Sequence, residues 1–169
     1  MASGNSTEII QYKQTAMNSI VSTQSIINAI NSKYDDGTAM EPEDLFYTHV
    51  FPYGYLPDTI ETAGCYITLE VSMPSVSTVN YFFKDILLTV TIICHQDIMR
   101  MTDTEPCGAT GATRTDYLAV EIDKLFNHKK GMGKKEMELV SNVEGAIDPV
   151  HRCRVMRFQT QDVTKSFCE

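Results

Sequence analysis

The sequence predicts an α+β fold: an antiparallel or mixed sheet of about four strands, with an N-terminal helix and a second helix packed on it. Three observations predict it. The run Ile86–Cys94 contains only Ile, Leu, Val, Thr and Cys, without Gly, Pro or charge, and β-branched residues fit a pleated surface. Two segments, 6–33 and the stretch after Thr113, carry apolar residues at helical spacings of three and four. Three further segments alternate with period two, bounded by Pro and Gly. The order is helix, short helix and loop, two strands, loop, helix, two strands, with no internal repeat.

The strand 86–95 is expected to be central. Leu88, Val90, Ile92 and Cys94 would share one face, and Leu87, Thr89, Thr91, Ile93 and His95 the other. Both faces are largely apolar, as in a strand covered on both sides or facing a partner subunit. The uncharged run is about half of the roughly 20 residues a membrane-spanning helix needs.

In the helix expected over 6–33, Ile9, Ile10, Met17, Ile20, Val21, Ile27 and Ile30 form the stripe, with Tyr12, Ala16 and Gln24 around them. Asn5 and Glu8 have the spacing of a capping box, and Asp36-Gly37 supplies a stop. The opposite face is Gln, Asn, Ser and Thr: either a polar surface or one partly covered in an assembly. Residues 38–62 read as a connector. Glu41-Pro42-Glu43-Asp44 suits the first turn of a short helix carrying Leu45, Phe46 and Val50. Phe51–Pro57 reads as an ordered loop whose rings pack on the core.

Residues 65–73 alternate and are expected to end at Pro74, in antiparallel pairing with the central strand. Residues 99–111 lack apolar periodicity and are expected to form a mobile loop used in assembly. The second helix begins near Thr113, with Asp116 three residues on and Leu118, Ala119, Ile122, Leu125 and Phe126 as its stripe. Lys124, His128, Lys129 and Lys130 gather at its C-terminal end, and Gly131-Met-Gly133 breaks it. A hairpin follows. In one strand Met137, Leu139, Ser141 and Val143 alternate with Glu136, Glu138, Val140 and Asn142; residues 145–149 turn, and 152–160 return. A tail, 161–169, is expected to be flexible or added to a neighbour.

The chain has 169 residues, 43% hydrophobic and 21% charged, with net charge −8. This is one ordinary globular domain by composition. Gripping duplex DNA by bulk electrostatics is disfavoured, because that needs clustered cations. The N-terminus lacks the basic and apolar regions of a signal peptide, so none is expected. Five cysteines without a Cys-x-x-Cys, and four scattered histidines, predict free thiols and no bound metal. Cys94 and His95 are adjacent but would lie on opposite strand faces. No Ser-His-Asp, paired-carboxylate or phosphate-loop signature is present, so neither enzyme activity nor a cofactor is expected.

Two charged groups are candidate interface residues. Arg152, Arg154 and Arg157 concentrate positive charge in an acidic chain, and Glu41, Glu43 and Asp44, with Asp35 and Asp36, form an acidic group after the first helix. The arginines are either solvated strand edges or ion-pair partners of Glu136 and Glu138, or else a subunit contact or a lining near nucleic acid. If the two groups meet between neighbours, they would set the register of a ring.

Several segments carry a family resemblance: Val50-Phe-Pro-Tyr53 with Leu56-Pro57; Asp85–His95, ending Ile-Ile-Cys-His; Thr113–Asn127, opening Thr-Arg-Thr-Asp and ending Lys-Leu-Phe-Asn; Leu139-Val-Ser141; and Arg157-Phe-Gln-Thr160. In this order, over roughly residues 45–162, the chain resembles the tail terminator and tail-completion proteins of tailed bacteriophages. That resemblance implies a non-enzymatic virion protein of the tail and neck, assembled in the host cytoplasm. It implies a ring, expected to be a hexamer, that caps the tail tube protein and presents a surface to the head-side connector or stopper. DNA would only pass through the lumen, and no membrane is involved. The longer N-terminal helix and the 99–111 loop depart from a minimal member. Another neck component, such as a stopper or head-completion protein, and an unrelated cytoplasmic binding domain are the other readings open at this point.

Overall fold

The computed structural model describes residues 5–31, 42–54, 63–76, 83–101 and 112–163. Its elements are α1 (Asn5–Val21), α2 (Gln24–Asn31), α3 (Pro42–Leu45), β1 (Val50–Phe51), β2 (Cys65–Val76), β3 (Phe83–His95), α4 (Arg114–Phe126), β4 (Glu138–Ala146) and β5 (His151–Val163), with a 3-10 turn at Gln96–Ile98. The fold is α+β with a five-stranded mixed sheet in the order β1-β2-β3-β5-β4. Among the described strands β1 and β2 pair parallel and the other neighbours pair antiparallel.

The central strand is where its composition placed it. β3 pairs antiparallel with β2 on one side and β5 on the other. Leu88, Val90, Ile92 and Cys94 are fully buried beneath the helices. The opposite face, Leu87, Thr89 and Thr91, is only half-buried. The helical layer therefore covers one side of the sheet. α1 lies against β2, α4 against β3 and β5, and α2 against α4. Between them Tyr12, Met17, Ile20, Ile26, Ile30, Leu118, Ile122 and Phe126 meet Ile67, Leu69, Met156 and Phe158 in one core.

The helix expected over 6–33 is two helices. Ser22 and Thr23 donate side-chain hydrogen bonds to the carbonyls of Asn18 and Ser19 (2.6 and 2.7 Å). Such back-bonding competes with helix continuation. Thr23 then accepts from the amides of Ile26 and Ile27, opening α2. The break lets α2 leave the line of α1 and pack on α4. Ile10, assigned to the apolar stripe, is 59% exposed. Glu8 is buried, and its carboxylate pairs with Lys84 at the start of β3. The stop at Asp36-Gly37 lies outside the described residues.

The connector supplies the strand that the sequence reading missed. α3 begins at Pro42 and ends at Leu45. The chain then turns through Tyr47, whose φ of 60° is in the left-handed region, and Val50 enters β1 rather than the helix. Two residues are too short to show a period. β2 continues past Pro74 because its register shifts between Ser72 and Ser75, a bulge that spares the proline a ladder bond. β4 carries a similar shift between Leu139 and Ser141. Leu139 pairs with Phe158 on the helix side, whereas Ser141 pairs with Arg157 on the open side. The uninterrupted alternation expected there is broken at Val140. β5 runs on to Val163, so residues 161–163 are strand rather than tail.

α4 starts as expected. Thr113 is its N-cap, and Thr113 and Asp116 close a reciprocal capping box. The helix ends at Phe126 with Asn127 as C-cap, before the glycines expected to break it. Of the segment 99–111, Met101 is buried and Arg100 bridges to Thr113; residues 102–111 lie outside the described part. Among the described residues no helix is long and apolar enough to cross a membrane.

Candidate subunit interface

The sequence singled out two charged groups, and the structure does not present the three arginines of the first together. Arg154 lies on the helix side of β5, where the 16% exposure of its side chain removes it from the open surface. Its guanidinium pairs with Asp116, reaches Asn142 Oδ1 at 3.1 Å and stands 3.6 Å from Glu144. It therefore joins the α4 capping box to β5 and β4. Its partners are Asp116 and Glu144 rather than Glu136 and Glu138. Burial alone would raise the Asp116 carboxyl. The Thr113 hydroxyl and amide, with the Arg154 charge, outweigh that and hold it below the ordinary carboxylate range.

Arg152 lies by the hairpin turn, its guanidinium 3.5 Å from the Pro149 carbonyl. Arg157 is exposed on the open face, in a row with Thr89 and Glu70, with Thr89 between them. Glu43 and Asp44 are exposed on α3, at the β1 edge. Glu41, Asp35 and Asp36 lie outside the described residues. Glu43 and Asp44 thus sit at the opposite edge of the sheet from β4, and of the three arginines only Arg157 is presented on the open face.

Two other charged arrangements organise the interior. Arg114, the first residue of α4, is buried. Its Nε donates to the Ile98 carbonyl (2.8 Å) and its Nη1 to the Ala29 carbonyl. A cation there complements the C-terminal end of α2. The Arg-x-Asp start seen in the sequence is therefore a clamp on two elements plus a cap. Near the other end of the sheet, Lys84 and Asp162 are cross-strand neighbours. Glu8 meets Lys84, and the Tyr12 hydroxyl donates to Asp162. Burial and the neighbouring Asp162 carboxylate push the Tyr12 phenol well above its usual range. The alternation of β3 gave no sign of this, because Lys84 precedes the uncharged run.

The open face is apolar at one end. Phe51, Tyr66, Ile93 and Cys153 form a second buried cluster, with Ile147 and Val155 against it. Tyr53 packs on Phe51 (ring centroids 5.7 Å), and His49 stacks on Tyr66 (5.6 Å). These contacts bear out ring packing for the described part of the aromatic segment. Tyr47 and Tyr53 remain 63% and 48% exposed. Beyond this cluster, His95 and His151 meet edge to face, and Asp148 holds His151 Nδ1 at 2.7 Å. Cys65 and Cys94 face each other on the helix side as buried free thiols. Burial first, and then the neighbouring Cys65, push the Cys94 thiol up, which keeps it protonated.

Among the described residues the densest exposed positive charge is a group of which the sequence reading had placed only Lys129 and Lys130, at a helix end. Lys129, Lys130, Lys134 and Lys135 lie in the loop between α4 and β4, all exposed. Counting charge along this loop, across the two glycines, would have found it.

The chain belongs to the YomW family, which it matches over residues 23–160. The family bears the name of a protein of a Bacillus phage of the SPBc2 type, which points to a phage origin. No curated protein matches the chain.

Proposed function

We propose that this protein is a ring-forming tail terminator of a bacteriophage. It would cap the finished tail tube and join the tail to the head-side connector. The observation that carries this reading is the one-sided sheet. Its helical layer covers a single face, and among the described residues β4 pairs only with β5. Its Val140 and Val143 side chains are 51% and 55% exposed. Exposed valines on a free edge invite association, and a ring of neighbours gives such an edge a defined partner. The family's phage origin and the order of segments resembling tail terminators support the same reading. The chain would act by contact alone, without catalysis and without a bound metal. Stoichiometric zinc in the purified protein would overturn that last statement.

The test is to disrupt the gene in a phage that carries it and to image the particles. Uncapped, overlong tails are expected, restored by supplying the protein in trans. Tails of normal length with unattached heads would instead place the protein elsewhere in the neck, as a stopper or head-completion component. Unaltered virions would overturn both readings.

A further inference from the structure

We propose that the β4 edge of one copy, with the lysine loop beside it, docks on the α3–β1 edge of a second copy. This rests on the ring reading and adds the surfaces that close the ring.

The lysine loop is a built feature. Its backbone is tied on both sides: His128 N–H donates to the Met137 carbonyl (2.7 Å), Met137 N–H to that of Lys129 (2.9 Å), and Lys134 and Lys135 N–H to that of Gln161 (3.0 and 3.2 Å). Met132 is buried at its centre. Gly133 is required there, since a Cβ would come within 2.9 Å of the Gln161 carbonyl oxygen and the Thr160 hydroxyl. The loop thus holds four of the chain's 14 Lys and Arg residues within seven positions. Yet in a chain of net charge −8 they are scarcely neutralised: among the described residues only Lys130 reaches a carboxylate, Glu136 at 3.9 Å. Like charges held together in this way repel, and an anionic surface from outside the chain relieves that.

A largely polar cleft with one exposed valine lies beside the loop. Lys135, Glu136, Glu138, Val140 and Gln159 are among the residues lining this cleft of about 240 Å³. The bulge at Val140 interrupts regular strand addition, so side chains rather than a continuous ladder would make the contact. Four strand spacings away, roughly 19 Å, the other edge offers the complement. There Glu43 and Asp44 are exposed beside Tyr47 and Tyr53. The lysine loop carries four exposed cations against the exposed Glu136 and Glu138 beside it, whereas the α3 edge presents Glu43 and Asp44, so the loop and the α3 edge are of opposite sign, and each has exposed apolar side chains nearby. Two different patches meeting make a heterologous contact, which closes into a ring when the rotation permits. A nucleic acid is the less favoured occupant of the lysine loop, because the chain itself supplies the complementary surface.

The test uses two full-length variants, Lys134→Glu with Lys135→Glu, and Glu43→Lys with Asp44→Lys, in light scattering over a concentration series. The first leaves both edges acidic and the second leaves both basic. Each alone should associate more weakly than the wild type by roughly tenfold to a hundredfold, with unchanged circular dichroism and melting. Mixed one to one they should recover assembly, in rings of even subunit number with alternating chains. All four substitutions in one chain should also recover it. Wild-type rings that persist unchanged in either variant, or a mixture that stays monomeric, would overturn the docking while leaving the ring reading standing. Loss of duplex DNA retardation in the lysine variant, with self-association intact, would overturn it in favour of a nucleic-acid contact. A wild-type chain that is monomeric at every concentration would remove both the docking and the self-assembling ring.

Discussion

Glu8 and Lys84 form a fully enclosed ion pair that ties the first helix to the start of the central strand, with 2% and 0% of their side chains exposed. Removing one partner strands the other charge in the core, which costs about 3–5 kcal/mol. Glu8→Gln and Lys84→Met should each lower stability by about that amount in urea unfolding. The double variant Glu8→Leu with Lys84→Met should recover most of the loss, since an apolar pair of similar volume is often neutral there. Additive losses in the double variant would show that the two residues act separately.

Tyr12 to Asp162 is the neighbouring tie, from α1 to the end of β5. Tyr12→Phe keeps the ring and deletes the donor, leaving a buried carboxylate short of one hydrogen bond. A loss of about 1–3 kcal/mol is expected. Because the phenol is pushed up, spectrophotometric titration of the wild type should show one tyrosine that stays protonated after the exposed ones have ionised. That lag should vanish in Tyr12→Phe.

Arg154 and Asp116 predict a pH dependence. Asp116 is held below its ordinary value in the folded chain, whereas an unfolded aspartate titrates near about 3.9. A depressed folded value means that the stabilisation is complete above about pH 4 and is lost as pH falls through the folded value. Asp116→Asn should flatten that acid limb of the stability curve and leave the rest of it parallel to wild type. Arg154→Met should destabilise the fold by roughly 1–2 kcal/mol, less than a fully enclosed pair because Asp116 is partly exposed. Arg157→Glu, on the open face, should leave the melting temperature within a degree or two of wild type.

Ile92 is fully buried at the centre of the sheet. Ile92→Asp places an unpaired charge in the core, and insoluble protein is expected on expression. A soluble, cooperatively melting variant would contradict the packing described.

The strong local signals in the sequence were correct. The uncharged run at 86–94, the alternation of β2 and the Thr113–Asp116 cap each lie within one element, so neighbouring residues suffice to reveal them. The break at Ser22–Thr23 was hidden because both halves keep helical spacing. β1 was hidden because two residues show no period, and the bulges at Pro74 and Val140 because a shifted register can be seen only against a partner strand.

The candidate interface shows the same division. By itself the sequence determined which side chains are charged, that the chain is acidic, and that a buried strand organises the fold. Only the tertiary structure decided which charges are available. Arg154 looked like surface charge until α4 brought Asp116 over it, and nothing near Lys84 in the chain announced that α1 would bring Glu8 to it. Lys129 and Lys130 looked like a helix end, and Lys134 and Lys135 were not singled out, until backbone bonds to Met137 and Gln161 gathered the four at the sheet edge. The physical reason is that a charge is spent or left over according to what stands within a few ångströms of it, and those neighbours are 38 residues away for Arg154 and 76 for Lys84.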